Sequence, residues 1–163
     1  MIWLSRKGGE KRPMFQQRVY QNAVQKMKAG NNCCQAVIMA ACQEWGLPVP
    51  EDLLSAASLF GEGMQAGCTC GALSGMIMAS GLRSRYQVHP RQDKLALSLH
   101  DIFKQNFGST CCRVIKKKRS IIDRVGSRTC QELTGKAAVL LIEQWKELDD
   151  DPSARVVGNN TNP

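Results

Sequence analysis

The sequence contains no CxxC pair and no CxxCH, although it carries eight cysteines. The first absence removes zinc-ribbon knuckles and ferredoxin-type runs, and the second removes covalent haem attachment. No apolar stretch approaches the ~18 to 20 residues of a membrane-spanning helix, so membrane insertion is not expected. The opening Met1 to Arg12 lacks a secretory apolar run and a small-residue cleavage pattern, which points to the cytoplasm. Two tyrosines, four phenylalanines and three tryptophans offer few platforms for stacked bases, and no helix-turn-helix or C2H2 finger is present. Period-two alternation is almost absent, so strands are not expected.

What is present is a chain of 163 residues with a formal charge of +8. That length suffices for a buried core without disulfides or metal, so the cysteines are not needed merely as staples. In a reducing compartment thiols more often react or bind metal than form structural bridges. The positive charge concentrates at Arg6 to Arg12, Arg83 to Arg91 and Arg113 to Arg119. It reads first as a solvated surface and second as a patch for nucleic acid or an acidic partner.

Helical periodicity runs through the chain between polar ends. Residues 1–13 read as a disordered lead, 14–148 as a single helical domain, and 149–163 as a disordered tail. Met14 to Lys28 is amphipathic and stops at Gly30. Cys33 to Trp45 is apolar almost all round and therefore central, with Gly46, Pro48 and Pro50 ending it. Glu51 to Phe60 opens with acidic residues, as a helix dipole favours. A glycine-rich loop from Gly61 to Gly67 then leads into Cys70 to Leu82, expected to stop at Gly81. Arg91 to Phe107, a short segment from Cys111, and Cys130 to Leu148 follow. The expected fold is a compact all-α bundle of five to seven helices.

Asn32-Cys33, Thr69-Cys70, Thr110-Cys111-Cys112 and Thr129-Cys130 each place a thiol directly after a residue that can cap a helix. At such ends the free amides and the dipole favour a thiolate, so Cys70 is expected to be the most reactive thiol. Gathered together, thiolates would repel and need a metal, disulfide formation or protonation to coexist. The spacing leaves open whether Cys111 or Cys112 takes part. Gly63, Gly67, Gly71 and Gly75 are candidates for cofactor contact; Gly61, Gly63 and Gly67 permit positive φ or close backbone approach, and Gly71, Gly75 and Ala79 form a bare stripe for a packing helix. Cys34 and Cys42 read as core, and Cys68 as a resolving thiol or extra ligand. His89 and His100 are weaker ligand candidates, and Glu62 has no evident partner.

In these stretches, from Asn32-Cys33-Cys34-Gln35-Ala36 through Cys70-Gly71-Ala72-Leu73-Ser74-Gly75 and Gly108-Ser109-Thr110-Cys111-Cys112 to Cys130, the sequence resembles the redox-active family named for its C_GCAxxG_C_C cysteine pattern. The resemblance spans roughly residues 15–148. It implies a small helical protein whose signature cysteines are Cys33, Cys70, Cys112 and Cys130, and it selects Cys112 over Cys111. The leading expectation is a redox-active protein using those four cysteines as a metal or iron–sulfur site or as reversible dithiols. The redox partner is unspecified and a homo-oligomer stays open. Alternatives are a non-catalytic module stabilised by metal, and a basic helical protein that binds nucleic acid through Lys116 to Arg119.

Overall fold

The computed structural model describes residues 14–87, 92–117 and 128–149. Seven α-helices occur among them: α1 (Met14–Lys28), α2 (Cys33–Trp45), α3 (Glu51–Ala57), α4 (Gly71–Ser84), α5 (Gln92–Phe107), α6 (Cys112–Lys117) and α7 (Arg128–Asp149). The described residues hold no strand, only one isolated antiparallel bridge between Thr69 and Cys111. No described helix is long and apolar enough to cross a membrane. The expected all-α bundle is therefore observed. The expected polar lead, residues 150–163 of the expected tail, Lys118 to Gly126 and His89 lie outside the described residues, while Asp149 of that tail ends α7.

The nearly uniform apolarity of α2 has its cause in position. α1, α4 and α7 all pack on it, and Cys34, Ala36, Val37, Ile38, Ala40, Ala41 and Cys42 are buried. Its start is fixed by a reciprocal cap in which the Asn32 side chain accepts from the Gln35 amide at 3.0 Å and Gln35 Oε1 accepts from the Asn32 amide at 3.1 Å. The same Asn32 donates its side-chain amide to the carbonyls of Ala57 and Ser58, at 3.1 and 2.7 Å. One residue thus starts α2 and ties down the end of α3, next to the glycine-rich loop.

α4 lies along α2 through the predicted stripe. A Cβ on Gly75 would sit 2.6 Å from the Cys34 carbonyl oxygen and 3.0 Å from Val37 Cβ, so only glycine allows this approach. Gly75 is consequently a packing residue of the helix pair. Gly81 does not end α4 as the sequence suggested. The helix runs on to Ser84, and a Cβ at Gly81 would meet nothing within 4 Å. Glycine is tolerated inside a helix when packing holds the turns on both sides, and Ala79, Ser80 and Ser84 are buried there.

At the far end of the bundle, Trp145 of α7 is 1% exposed and donates Nε1 to Ser80 Oγ of α4 at 3.0 Å. Trp45 meets it edge to face with ring centroids 5.8 Å apart, and the Arg83 guanidinium lies 4.4 Å from the Trp145 ring and 4.8 Å from the Trp45 ring. Trp145→Phe keeps most of the apolar surface but strips the buried Ser80 hydroxyl of this donor. The variant is expected to lose roughly 1–2 kcal/mol in urea unfolding. Unchanged stability would mean that the indole bond contributes nothing.

Candidate functional site

The N-terminal ends of four helices meet around one cavity of about 830 Å³. Cys33, Cys70, Cys112 and Cys130 all line it, as do Glu62, Gln65, Ala66 and Gly67 from the loop and Arg113, Lys116 and Lys117 from α6. Cys33 is the first residue of α2 and Cys112 the first of α6. Cys70 is the capping residue immediately before α4, and Cys130 stands in the first turn of α7. The four cysteines singled out in the sequence are thus brought to one place.

The capping details differ from those expected. Thr69 is not the cap of α4: it pairs with Cys111 in the isolated bridge, whose flanking bonds run from the Cys112 amide to the Cys68 carbonyl (2.6 Å) and from the Cys70 amide to the Thr110 carbonyl (2.8 Å). Cys70 occupies the cap position in Thr69's place, with extended backbone angles. Thr129 is no cap either, because α7 opens one residue earlier, at Arg128. Ahead of α6, within the Ser109-Thr110 pair that could cap it, the Ser109 side chain accepts from the Cys111 amide at 3.1 Å. A short ladder holds two of the thiols where simple caps were anticipated.

The glycine-rich loop is a tightly wound turn of left-handed backbone. Glu62, Gly63, Met64 and Gln65 have φ of 54°, 67°, 59° and 56°, three of them non-glycine residues. Each such residue costs about 1 kcal/mol, so the turn persists only because its surroundings impose it. Those surroundings belong to α6: Arg113 donates to the Ala66 carbonyl at 2.7 Å, and Lys116 Nζ lies 3.4 Å from Glu62 Oε1. Gly63 and Gly67 have positive φ, whereas Gly61 is extended at φ −61° and serves close approach instead, since a Cβ there would lie 3.0 Å from Asn32 Cβ. A Cβ at Gly63 would lie 2.8 Å from Cys112 Cβ, and one at Gly67 3.1 Å from Arg113 Nε. Of the glycines proposed for cofactor contact, Gly67 lines the cavity, Gly63 backs Cys112, and Gly71 seats the Cys33 sulfur, which would lie 2.6 Å from an added Cβ.

The electrostatics overturn the expectation of an acidic Cys70. Burial pushes its thiol up to about 12, and nearby Cys33 adds to this, outweighing the amides of Ala72 and Leu73 that favour the thiolate. Cys70 is only 5% exposed, and removal from water defeats the helix end. Cys33 is raised too, first by burial and further by Cys130 and Cys112, against the opposing Glu62 amide. Burial disfavours the Lys116 ammonium, but Cys112, Glu62 and Cys130 outweigh it and hold the lysine above its ordinary range. No disulfide links any of the eight cysteines, all of which lie among the described residues. No three Cys, His, Asp or Glu side chains among the described residues stand together as a metal-holding group.

The remaining candidates separate cleanly. Cys34 and Cys42 are fully buried, as expected of core, with Cys34 Sγ 3.7 Å from Met78 Sδ. Cys68 is exposed, and Cys111 is half-buried with Sγ 3.2 Å from the Gly67 carbonyl oxygen. His100 pairs with neighbouring Asp101 on α5 and does not line the cavity. Glu62, read as unpartnered, pairs with Lys116. Lys116, read from the sequence only as part of a nucleic-acid-binding run and not as a neighbour of the thiols, stands four residues after Cys112 and so shares its helix face. Iodoacetamide at neutral pH is expected to label Cys68 first and Cys34 and Cys42 last, with Cys70 slow despite its helix end. Labelling of Cys70 ahead of Cys68 in mass-spectrometric mapping would contradict the burial argument.

Helices arranged so that four thiols from separate elements line a single cavity define an all-α protein with a sulfur-lined pocket. The chain belongs to the family described as "Putative redox-active protein (C_GCAxxG_C_C)", which it matches over residues 31–144. No match was found among curated proteins or among solved structures.

Proposed function

We propose that the protein is a thiol redox carrier in which Cys33, Cys70, Cys112 and Cys130 form the working site and cycle between dithiol and disulfide. The observation that carries this reading is the convergence of the four thiols on one cavity. Cys33 and Cys70 are the inner pair. The Cys33 sulfur rests against Gly71, next to Cys70, and each is raised by burial among other thiols. A reducing compartment such as the cytoplasm suits cysteines that cycle through the dithiol state.

Because both inner thiols hold their protons, closing the disulfide releases two protons with two electrons. The midpoint potential is therefore expected to fall by about 59 mV per pH unit, twice the ~30 mV that a tenfold change in equilibrium constant is worth for a two-electron couple. The slope should carry through pH 9 for as long as the chain stays folded, whereas an ordinary dithiol flattens there. A break near pH 9 in redox titrations against defined thiol buffers would contradict the reading.

A second reading is a metal or iron–sulfur centre held by the same four cysteines. It is favoured by the crowding of the thiols, since beyond burial Cys33 raises Cys70 while Cys130 and Cys112 raise Cys33, and a soft cation would relieve the repulsion among their thiolates. The sulfurs as arranged do not form a metal-holding group, so the thiols would have to close in around the ion. Anaerobic purification with elemental analysis separates the two readings: stoichiometric iron or zinc supports the second, and metal-free protein with a reversible thiol count supports the first.

A further inference from the structure

We infer that the cavity takes a small anionic disulfide as the oxidant of its cysteines. This inference rests on the dithiol reading above and adds the class of substrate. The cavity, at about 830 Å³, is of the size that holds a small organic ligand. Its charged lining among the described residues is Arg113, Lys116 and Lys117 against the single carboxylate Glu62. All three cations come from α6, the helix that also begins with Cys112. Positive charge and sulfur are therefore presented by one element at one opening.

Arg113 and Lys116 are each placed by contacts of their own. Arg113 lies across Gly67, where a Cβ would come within 3.2 Å of its own Cβ, and its guanidinium holds the Ala66 carbonyl. Lys116 bridges to Glu62 and faces Cys112 and Cys130. The apolar part of the wall is Met27, Ile115 and Leu133, which suits a short carbon chain between an acid group and a sulfur. A cleft that carries excess positive charge beside thiols attracts carboxylated disulfides and disfavours cationic ones.

The step balances without a further reagent. One protein sulfur attacks the ligand disulfide, breaking its S–S bond, forming a mixed disulfide and releasing one small thiol. A second protein sulfur then displaces the other half. The protein is oxidised to one disulfide, the ligand is reduced to two thiols, and the two protons lost by the protein thiols go to the leaving sulfurs.

The test measures oxidation of the fully reduced full-length chain by three disulfides of similar size at low ionic strength: dithiodiglycolate (dianionic), bis(2-hydroxyethyl) disulfide (neutral) and cystamine (dicationic). The rate is expected to fall in that order, with dithiodiglycolate at least tenfold faster than cystamine. Lys117→Gln should shrink this ratio several-fold, whereas Lys94→Gln, which changes net charge equally but does not line the cavity, should leave it unchanged. Equal shrinkage in both variants would assign the preference to overall charge and overturn the inference. Equal rates for all three reagents would also overturn it while leaving the dithiol reading intact. Failure of every reagent to oxidise any of the four cysteines would remove both.

Discussion

Raising the pH from 8 to 11 is expected to unfold the protein, in the presence of reductant and without any change in its covalent structure. Cys34 and Cys70 are pushed up to about 12 and Cys42 to about 11, chiefly by burial, whereas the same thiols ionise near 9 when exposed. Between those limits the unfolded chain binds fewer protons than the folded one, so stability falls as pH rises. Below pH 9 both states keep the protons and the effect vanishes. Each thiol contributes a slope of about 1.4 kcal/mol per pH unit, and three acting together remove on the order of the whole 5–15 kcal/mol that holds a domain of this size. Urea unfolding at pH 8, 9, 10 and 11 measures the slope. In Cys42→Ala, a site far from the cavity lining, the loss between pH 8 and 10 should shrink by about 1.4 kcal/mol. Stability that is flat from pH 8 to 10 would contradict the burial assigned to these thiols.

Gly71→Ala is expected to destabilise the fold by roughly 2–3 kcal/mol, although alanine is ordinarily the better helix former by about 1 kcal/mol. The new Cβ would overlap the Phe60 carbonyl oxygen and lie 2.6 Å from Cys33 Sγ. The carbonyl cannot retreat freely, because the 3₁₀ turn Ser58–Phe60 that carries it is held by the Asn32 side chain. The sulfur would have to leave its seat. Gly81→Ala supplies the opposite sign: nothing lies within 4 Å, φ is not positive, and the helix continues through it, so up to about 1 kcal/mol should be gained. Thermal unfolding of the two variants side by side distinguishes a packing glycine from an incidental one. If Gly71→Ala also proved stabilising, the close approach of α4 to Phe60 and Cys33 would be wrong.

Much of the fold was legible because its signals are local. The boundaries of α1 and α2 follow from helical periodicity closed by Gly30 and Gly46, and both glycines adopt the positive φ that ends a helix. The centrality of α2 follows from its lack of a polar face. Gly81 misled because a lone glycine marks a helix end only when no tertiary packing carries the helix past it.

The site was legible in membership but not in chemistry. Helix ends located Cys33, Cys70, the Cys111-Cys112 pair and Cys130, since a thiol beside a cap lies near free amides whether or not the cap itself is the residue guessed, and only the family resemblance separated Cys112 from Cys111. The depth of burial has no local signal. It arises from how α2, α4, α6 and α7 meet, and it reversed the expected acidity of Cys70. The left-handed run Glu62 to Gln65 is equally hidden, because glutamate, methionine and glutamine carry no preference for that backbone. It is held instead by the Cys68 amide on the Gly63 carbonyl, the packing of Gly63 on Cys112, and the contacts of Arg113 and Lys116 with the loop.

The central claim is that Cys33, Cys70, Cys112 and Cys130 act as one redox site and that the other four cysteines do not. The most direct test equilibrates anaerobically purified protein in thiol–disulfide buffers across a range of potentials, traps free thiols under denaturing conditions, and maps each cysteine by mass. The account predicts that members of this set lose their free thiols together at one potential and regain them on reduction, while Cys34 and Cys42 stay free throughout. Reversible oxidation confined to Cys68 and Cys111, with the four cavity cysteines unchanged at every potential, would contradict it.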